Sequence, residues 1–230
     1  MTVAIHQPNF IPWIGYFYKI LKSECFVILD DVQYTKNSFI NRNRIKTNTG
    51  LLWVTLPVLV SGKMGQKIID CQIQNKAHSV SKILKTIEQN YRKSKYYEMY
   101  YKSMKKIFIE SDDNLARLNI SLITWIMGEL NIHTKILRSS ELSIASSSTQ
   151  RLVDICIAVK GDIYLSGFGG SKYQDEDLFN ENNIKLFTTT FKHPIYNQQW
   201  GDFLENASII DLIFNEGPNA GNILNNCANG

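Results

Sequence analysis

The stretch Val3-Ala4-Ile5-His6-Gln7-Pro8-Asn9-Phe10-Ile11-Pro12-Trp13-Ile14-Gly15-Tyr16-Phe17, with Cys25-Phe26-Val27-Ile28-Leu29-Asp30-Asp31 after it, decides the fold. Residues 2–6 read as a short buried strand ending at the polar pair His6-Gln7. Pro8 and Pro12 fix φ and remove backbone donors, so no helix runs through the next turn. From Trp13 to Leu21, Ile14, Phe17 and Leu21 are spaced for one helical face. Cys25 to Leu29 is apolar without interruption, the pattern of a strand buried on both faces in a parallel sheet. The segment between strand and helix holds a His, a Gln, an Asn, two prolines and a Trp. It reads as poor core material and as a binding loop.

Working outward, Leu51 to Val58 and Ile68 to Ile73 are further strand candidates. Residues 78–131 change character. Val80, Ile83, Leu84, Ile87 and Tyr91 mark one amphipathic helix, Tyr96 to Ile109 a second, and Leu115 to Leu130 a third capped by Asp112 or Asp113. Alternation then resumes. Strands are expected at Thr134 to Leu137, Asp162 to Leu165 and Lys185 to Phe191. Helices are expected at Thr149 to Val159, capped by Ser147 or Ser148, at Asp175 to Glu181, and at Ile209 to Phe214. The expectation is an α/β fold with a Rossmann-like, mostly parallel sheet. Residues 1–77 plus 132–230 form its core domain, and 78–131 form an inserted or capping helical block.

A 230-residue chain with 44% hydrophobic and 20% charged residues is globular and can bury a sizeable core. Its net charge of +4 is mildly basic, far from that of a nucleic-acid coat, and fits an anionic small ligand at least as well. No C-x-x-C pair occurs among Cys25, Cys71, Cys156 and Cys227, which read as small buried hydrophobes. No 18-residue apolar window marks a membrane span, and His6 and Pro8 interrupt the first apolar run too early for a signal peptide. A cytoplasmic protein with reduced thiols is expected.

In open α/β sheets, ligands bind beyond the carboxyl ends of the strands. His6-Gln7, Asp30-Asp31, the run Ser166-Gly167-Phe168-Gly169-Gly170 and Lys192-His193-Pro194 all fall at expected strand ends. His6 titrates near neutrality and suits acid–base work, the alternative being a structural His bonded to a loop carbonyl. Gln7 and Asn9 offer amide donors and acceptors, and Trp13 a stacking face. Asp30 and Asp31 are adjacent and point to opposite faces of a strand, so they are not a carboxylate dyad. One enters the site to orient His6 or the substrate. No other ligands stand at metal-binding spacing. If Asn41 to Lys46 is extended, Arg42, Arg44 and Lys46 share one face and Asn41 and Asn43 the other. Guanidinium forks there suit phosphate. The glycines at 167, 169 and 170 let backbone approach a ligand closely, without a Walker lysine. His193, Tyr196 and Gln199 could line the same rim. The lysines of the helical block read as a solvated face, which disfavours nucleic acid. No G-x-S-x-G elbow or Cys–His pair supports hydrolytic chemistry.

The opening run, then Phe26 to Tyr34, Lys36, Ser38-Phe39, Asn41 to Lys46 and Trp53 to Val58 resemble the WbqC-like family. Tyr164 to Gly167 with Gly170 and Tyr173, Phe191 to Gln199, and Ser208 to Gly217 fit it as well. By that resemblance Gly15, Tyr16, Gln33, Tyr34, Lys36, Ser166 and Tyr173 join the substrate-binding set. The family's context, O-antigen and other lipopolysaccharide or surface-polysaccharide genes, implies a transferase acting on a nucleotide-linked amino sugar. It would add an acyl or aminoacyl group such as glycine. The sequence requires no cofactor and leaves its identity open, and ATP or an activated acyl donor is compatible with such a transfer. A homo-oligomer is compatible with this reading. More distantly, Trp13-Ile14-Gly15-Tyr16 resembles the H-x-G-H of nucleotidyltransferases, with Trp13 and Tyr16 in the histidine places. His6 and the Arg42/Arg44 pair are the groups left there to meet phosphate. A non-catalytic sugar-nucleotide-binding protein is the third reading.

Overall fold

In β1 (Thr2–His6) and β2 (Cys25–Ile28) the side chains alternate between two apolar cores. Val3, Ile5, Cys25 and Val27 enter one, and Ala4, Phe26 and Ile28 the other. That period of two, with both faces buried, is why these runs are apolar throughout. The computed structural model describes residues 1–167, 169–170 and 174–227.

β1 and β2 join β5 (Lys135–Arg138), β6 (Ile163–Ser166) and β7 (Lys185–Thr188) in a five-stranded sheet of order β5-β2-β1-β6-β7. Every pairing is parallel. The order is that of a doubly wound Rossmann-like sheet, and the winding reverses between β1 and β6. Helix α1 (Ile14–Leu21) crosses from β1 to β2 on the Ala4 face. Helices α5 (Ser148–Ala158) and α6 (Glu176–Glu181) cover the Val3 face. β3 (Arg42–Thr47) and β4 (Gly50–Thr55) form a separate antiparallel hairpin.

Between hairpin and β5 run α2 (Lys76–Tyr91), α3 (Tyr97–Glu110) and α4 (Leu115–Glu129). Their apolar faces pack into the same core as α1, the hairpin, α7 (Ile209–Glu216) and α8 (Ala220–Asn226). Asn114, not Asp112 or Asp113, caps α4, its side-chain Oδ1 accepting from the Arg117 N–H. Ser208 caps α7 through the Ile210 N–H.

Three expectations fail locally. Ile68 to Ile73 is a 3-10 turn at Ile68–Asp70 followed by isolated bridges, because its buried Ile68, Cys71 and Ile73 do not keep a period of two. β7 stops at Thr188. The segment from Pro8 to Pro12 is buried core, not an open loop. Its carbonyls are met from elsewhere: Pro8 O by Asn119 Nδ2 at 2.8 Å, Phe10 and Ile11 O by Asn43 Nδ2, and Ile11 O by Ser208 Oγ. Phe10 stacks edge-on against Phe108. Ile11 sits at φ +33°, a strained value for a β-branched residue that these bonds hold in place.

Candidate functional site

The carboxyl ends of β1 and β6, at the reversal point, open into a cleft of about 770 Å3. Ile5, His6, Tyr164 and Ser166 form its floor. Helix α1 supplies one wall through Gly15, Tyr16 and Lys19, with Trp13 just before it. Leu152, Gln174 and glycines 167, 169 and 170 supply another, and the segments 189–193 and 205–206 close over it. A larger cleft of about 930 Å3 lies between α2 and α3. It lacks histidine, and it stands away from the strand ends where this fold class gathers its chemistry.

His6 is held as a neutral imidazole. Its Nδ1 lies 3.1 Å from the Gln7 carbonyl, so Nδ1 carries the proton and Nε2 keeps its lone pair. Tyr16 stands edge-on at 4.9 Å and donates its own hydroxyl to the same carbonyl. Burial, then the Lys19 charge, pushes the His6 pKa down to about 4, well below the neutral value its residue type suggests.

Lys19 was not legible as a site residue. It is the one charged side chain in α1, which was its only signal. Its ammonium is buried beneath the cleft, donates to the Ile5 carbonyl at 2.8 Å and sits 5.9 Å from the Tyr164 ring. Burial lowers its pKa to about 7.

The indole of Trp13 folds back over the first turn of α1, where a Cβ on Gly15 would lie 2.2 Å from it. Gly15 therefore makes room for the cleft wall, and Phe191 meets the indole edge-on at 5.2 Å. A Cβ on Gly170 would press on Ser166 Oγ and Gln174 Nε2. Apart from Lys19, the charged groups lining the cleft among the described residues are Lys192 and Glu205, both exposed. No motif in the sequence marks Glu205. His193 lines the cleft with both nitrogens engaged: Nδ1 faces the Pro194 carbonyl and Nε2 accepts from the Asn206 N–H. Burial lowers its pKa too.

Of the expected residues, His6, Trp13, Gly15, Tyr16, Ser166, Gly167, Gly170 and His193 meet at this cleft. Tyr173, like Phe168, lies outside the described residues. The others stand elsewhere, for stated reasons. Asp30 is fully buried and saturated by Arg138 Nε at 2.7 Å, Ser140 N and Oγ, and Ser139 Oγ. Asp31 binds Ser139 Oγ and Arg151 Nη2. Burial works to raise its pKa, but those two bonds outweigh it and hold the carboxyl below its usual range. The rim beyond β2 and β5 is thus closed by an ion-pair network. An acidic residue free to hold a ribose at the end of β2, as in dinucleotide-binding sheets, is not available here.

Asn41 and Asn43 spend their side chains on backbone carbonyls, and Asn9 is buried. Lys46 is buried, its ammonium donating to the Gly201 and Asp202 carbonyls. Arg42 and Arg44 share one face of β3, as the spacing implies, but stack on Trp53 at 4.3 and 5.4 Å and do not line the cleft. Gln33 and Lys36 are exposed outside it, Tyr34 is buried, and the Gln7 side chain is not among its lining groups. Tyr196 is buried and accepts from Gln198, and Gln199 lines a small separate recess. No group of three or more His, Cys, Asp or Glu among the described residues could hold a metal. No described helix is long and apolar enough to cross a membrane.

A Rossmann-like sheet with a cleft at its reversal point, against β1 and β6, defines the chain as an α/β protein. The chain belongs to the WbqC-like protein family, whose model matches residues 7–223. It is 37% identical to Rv1507c, an uncharacterized protein of Mycobacterium tuberculosis, over 98% of each chain. No solved structure matches it.

Proposed function

We propose that the chain is a transferase that moves an acyl or aminoacyl group, such as glycine, onto the amine of a nucleotide-linked sugar in surface-polysaccharide assembly. The observation that carries this reading is the charge pattern of the cleft. Lys192 provides a cation, the glycines between 167 and 170 let backbone close on phosphate, and Glu205 provides one anion. A ligand anionic at its diphosphate and cationic at its amine matches that pattern.

The chemistry follows from the two buried groups. An ammonium must lose a proton before its nitrogen attacks an acyl carbon. Lys19, with its pKa lowered to about 7, is matched to that exchange at neutral pH. His6 is the weaker base and acts by accepting a hydrogen bond at Nε2, which orients the amine. Glu205 draws the ammonium in. The leaving group of the donor departs with the displaced electron pair as the amide bond forms.

The test is turnover of a uridine- or thymidine-linked amino sugar with an activated acyl donor. Lys19→Met and His6→Asn should each lower kcat by about a hundredfold or more. Wild-type kcat should fall below pH 7 as Lys19 becomes protonated. Folded variants with full turnover would sink the assignment. Pyrophosphate release from a nucleoside triphosphate would instead favour nucleotidyl transfer. That reading has little support in the cleft, where the Tyr16 hydroxyl is committed to the Gln7 carbonyl and Trp13 packs on Phe191.

A further inference from the structure

From Gln33 to Lys67 the chain carries Lys36, Arg42, Arg44, Lys46, Lys63 and Lys67 and no Asp or Glu. Lys46 is consumed inside the fold. Lys36, Lys63 and Lys67 are exposed, Arg42 and Arg44 are half-buried, and among the described residues none of the five pairs with an acid. The same stretch holds Phe39, Leu52, Trp53, Leu59 and Met64, five of the twelve large hydrophobic side chains exposed among the described residues. Beside the hairpin, Phe39 clusters with Trp53, while Leu52, next to Trp53 on β4, points to the opposite face, and Leu59 and Met64 lie in the loop that follows. The Phe39 ring lies 5.7 Å from Trp53, and both guanidiniums stack on the same indole. The loop carrying Lys63 and Met64 is tied alongside by the Tyr34 N–H to the Gln66 carbonyl at 2.9 Å. The lysines of α2 and α3 differ, since Glu88, Glu98 and Glu110 interleave with them as on an ordinary solvated face.

We propose that this surface docks on an anionic lipid bilayer. Exposed aromatic and aliphatic side chains set among cations, in a stretch of chain that carries no acid, are the chemistry of interfacial binding. The apolar groups enter the boundary between headgroups and acyl chains, and the cations meet acidic headgroups. Single-stranded nucleic acid also takes Arg and aromatic faces. The exposed Leu59 and Met64 of the following loop offer no face on which a base stacks, and they favour acyl chains. The docking surface borders the cleft, because the Arg44 guanidinium reaches the Asn206 carbonyl at 3.4 Å and the Ser208 N–H donates to the Arg44 carbonyl. Asn206 lines the cleft. A bilayer held there lies beside the cleft mouth, whatever reaction the cleft performs.

The test is co-sedimentation with phosphatidylglycerol–phosphatidylcholine vesicles against phosphatidylcholine alone. The full chain should bind the anionic vesicles selectively and release them at high salt. Lys36→Gln with Lys63→Gln should weaken partition about 25-fold, each cation counting roughly fivefold. Neither side chain makes a hydrogen bond or ion pair among the described residues, so the fold is kept. Brominated acyl chains should quench tryptophan emission in the wild type, and Trp53→Phe should remove most of that quenching. Equal binding to neutral and anionic vesicles, an unchanged partition in the double variant, or capture of an oligonucleotide in preference to vesicles would each overturn the proposal.

Discussion

His6 shows how a single residue can be placed correctly and still be misjudged in its chemistry. Its position at the end of a buried apolar run is readable from the sequence alone. Its proton affinity is not, because burial and Lys19 come from the fold. The folded pKa of about 4 lies below the unfolded value of about 6.5. Between those values the unfolded chain takes up a proton that the folded chain refuses. Stability is therefore unaffected above pH 6.5 and lost as pH falls toward 4. The full loss is at most about 3 kcal/mol, less to the extent that the ring stays open to the cleft. Lys19 adds a slope of the same sense between pH 10.5 and about 7. His6→Gln should flatten the acid limb in urea denaturation at pH 7 and 4.5. A variant with the wild-type slope would show that another group carries it.

At the scale of elements, β1, α1 and β2 were legible because each carries one clean period of apolar residues. The segment between β1 and α1 was not. Its polar and proline residues look like solvent-facing material, yet Asn43, Asn119 and Ser208, all distant in sequence, satisfy its carbonyls and let it be buried. Asp30 and Asp31 misled for the same reason. A strand-end carboxylate looks free until Arg138 and Arg151 arrive from residues more than a hundred positions away. The start of α1 gives a direct test. Gly15→Ala should drive the Trp13 indole off its seat, since the new Cβ would meet it at 2.2 Å. Overpacking of this kind costs about 1–3 kcal/mol. The more telling readouts are a change in tryptophan emission and weaker ligand binding in the cleft. Unchanged emission with intact binding would count against the indole as a cleft wall.

At the scale of the molecule, Asn119 on α4 ties the helical block to the rest by donating to the Pro8 and Ile40 carbonyls at 2.8 and 2.7 Å. Asn119→Ala leaves two buried carbonyls unmet and should cost about 2–4 kcal/mol. Because helices and sheet share one core, the loss should appear as one transition, coincident by fluorescence and far-ultraviolet dichroism. A helical block that melts separately would contradict this. By itself, the sequence determined the parallel strands of the main sheet, the helices between them, and the polar residues that end β1, β2 and β6. Hydrophobic periodicity is a local property and is written in adjacent residues. Which strand end stays open was decided only by tertiary structure. The β2 and β5 end is sealed by long-range ion pairs, the β1 and β6 end is left as a cleft, and Lys19 and Glu205 are brought to it. Charge pairing, burial and proton affinity depend on neighbours that only the folded chain assembles.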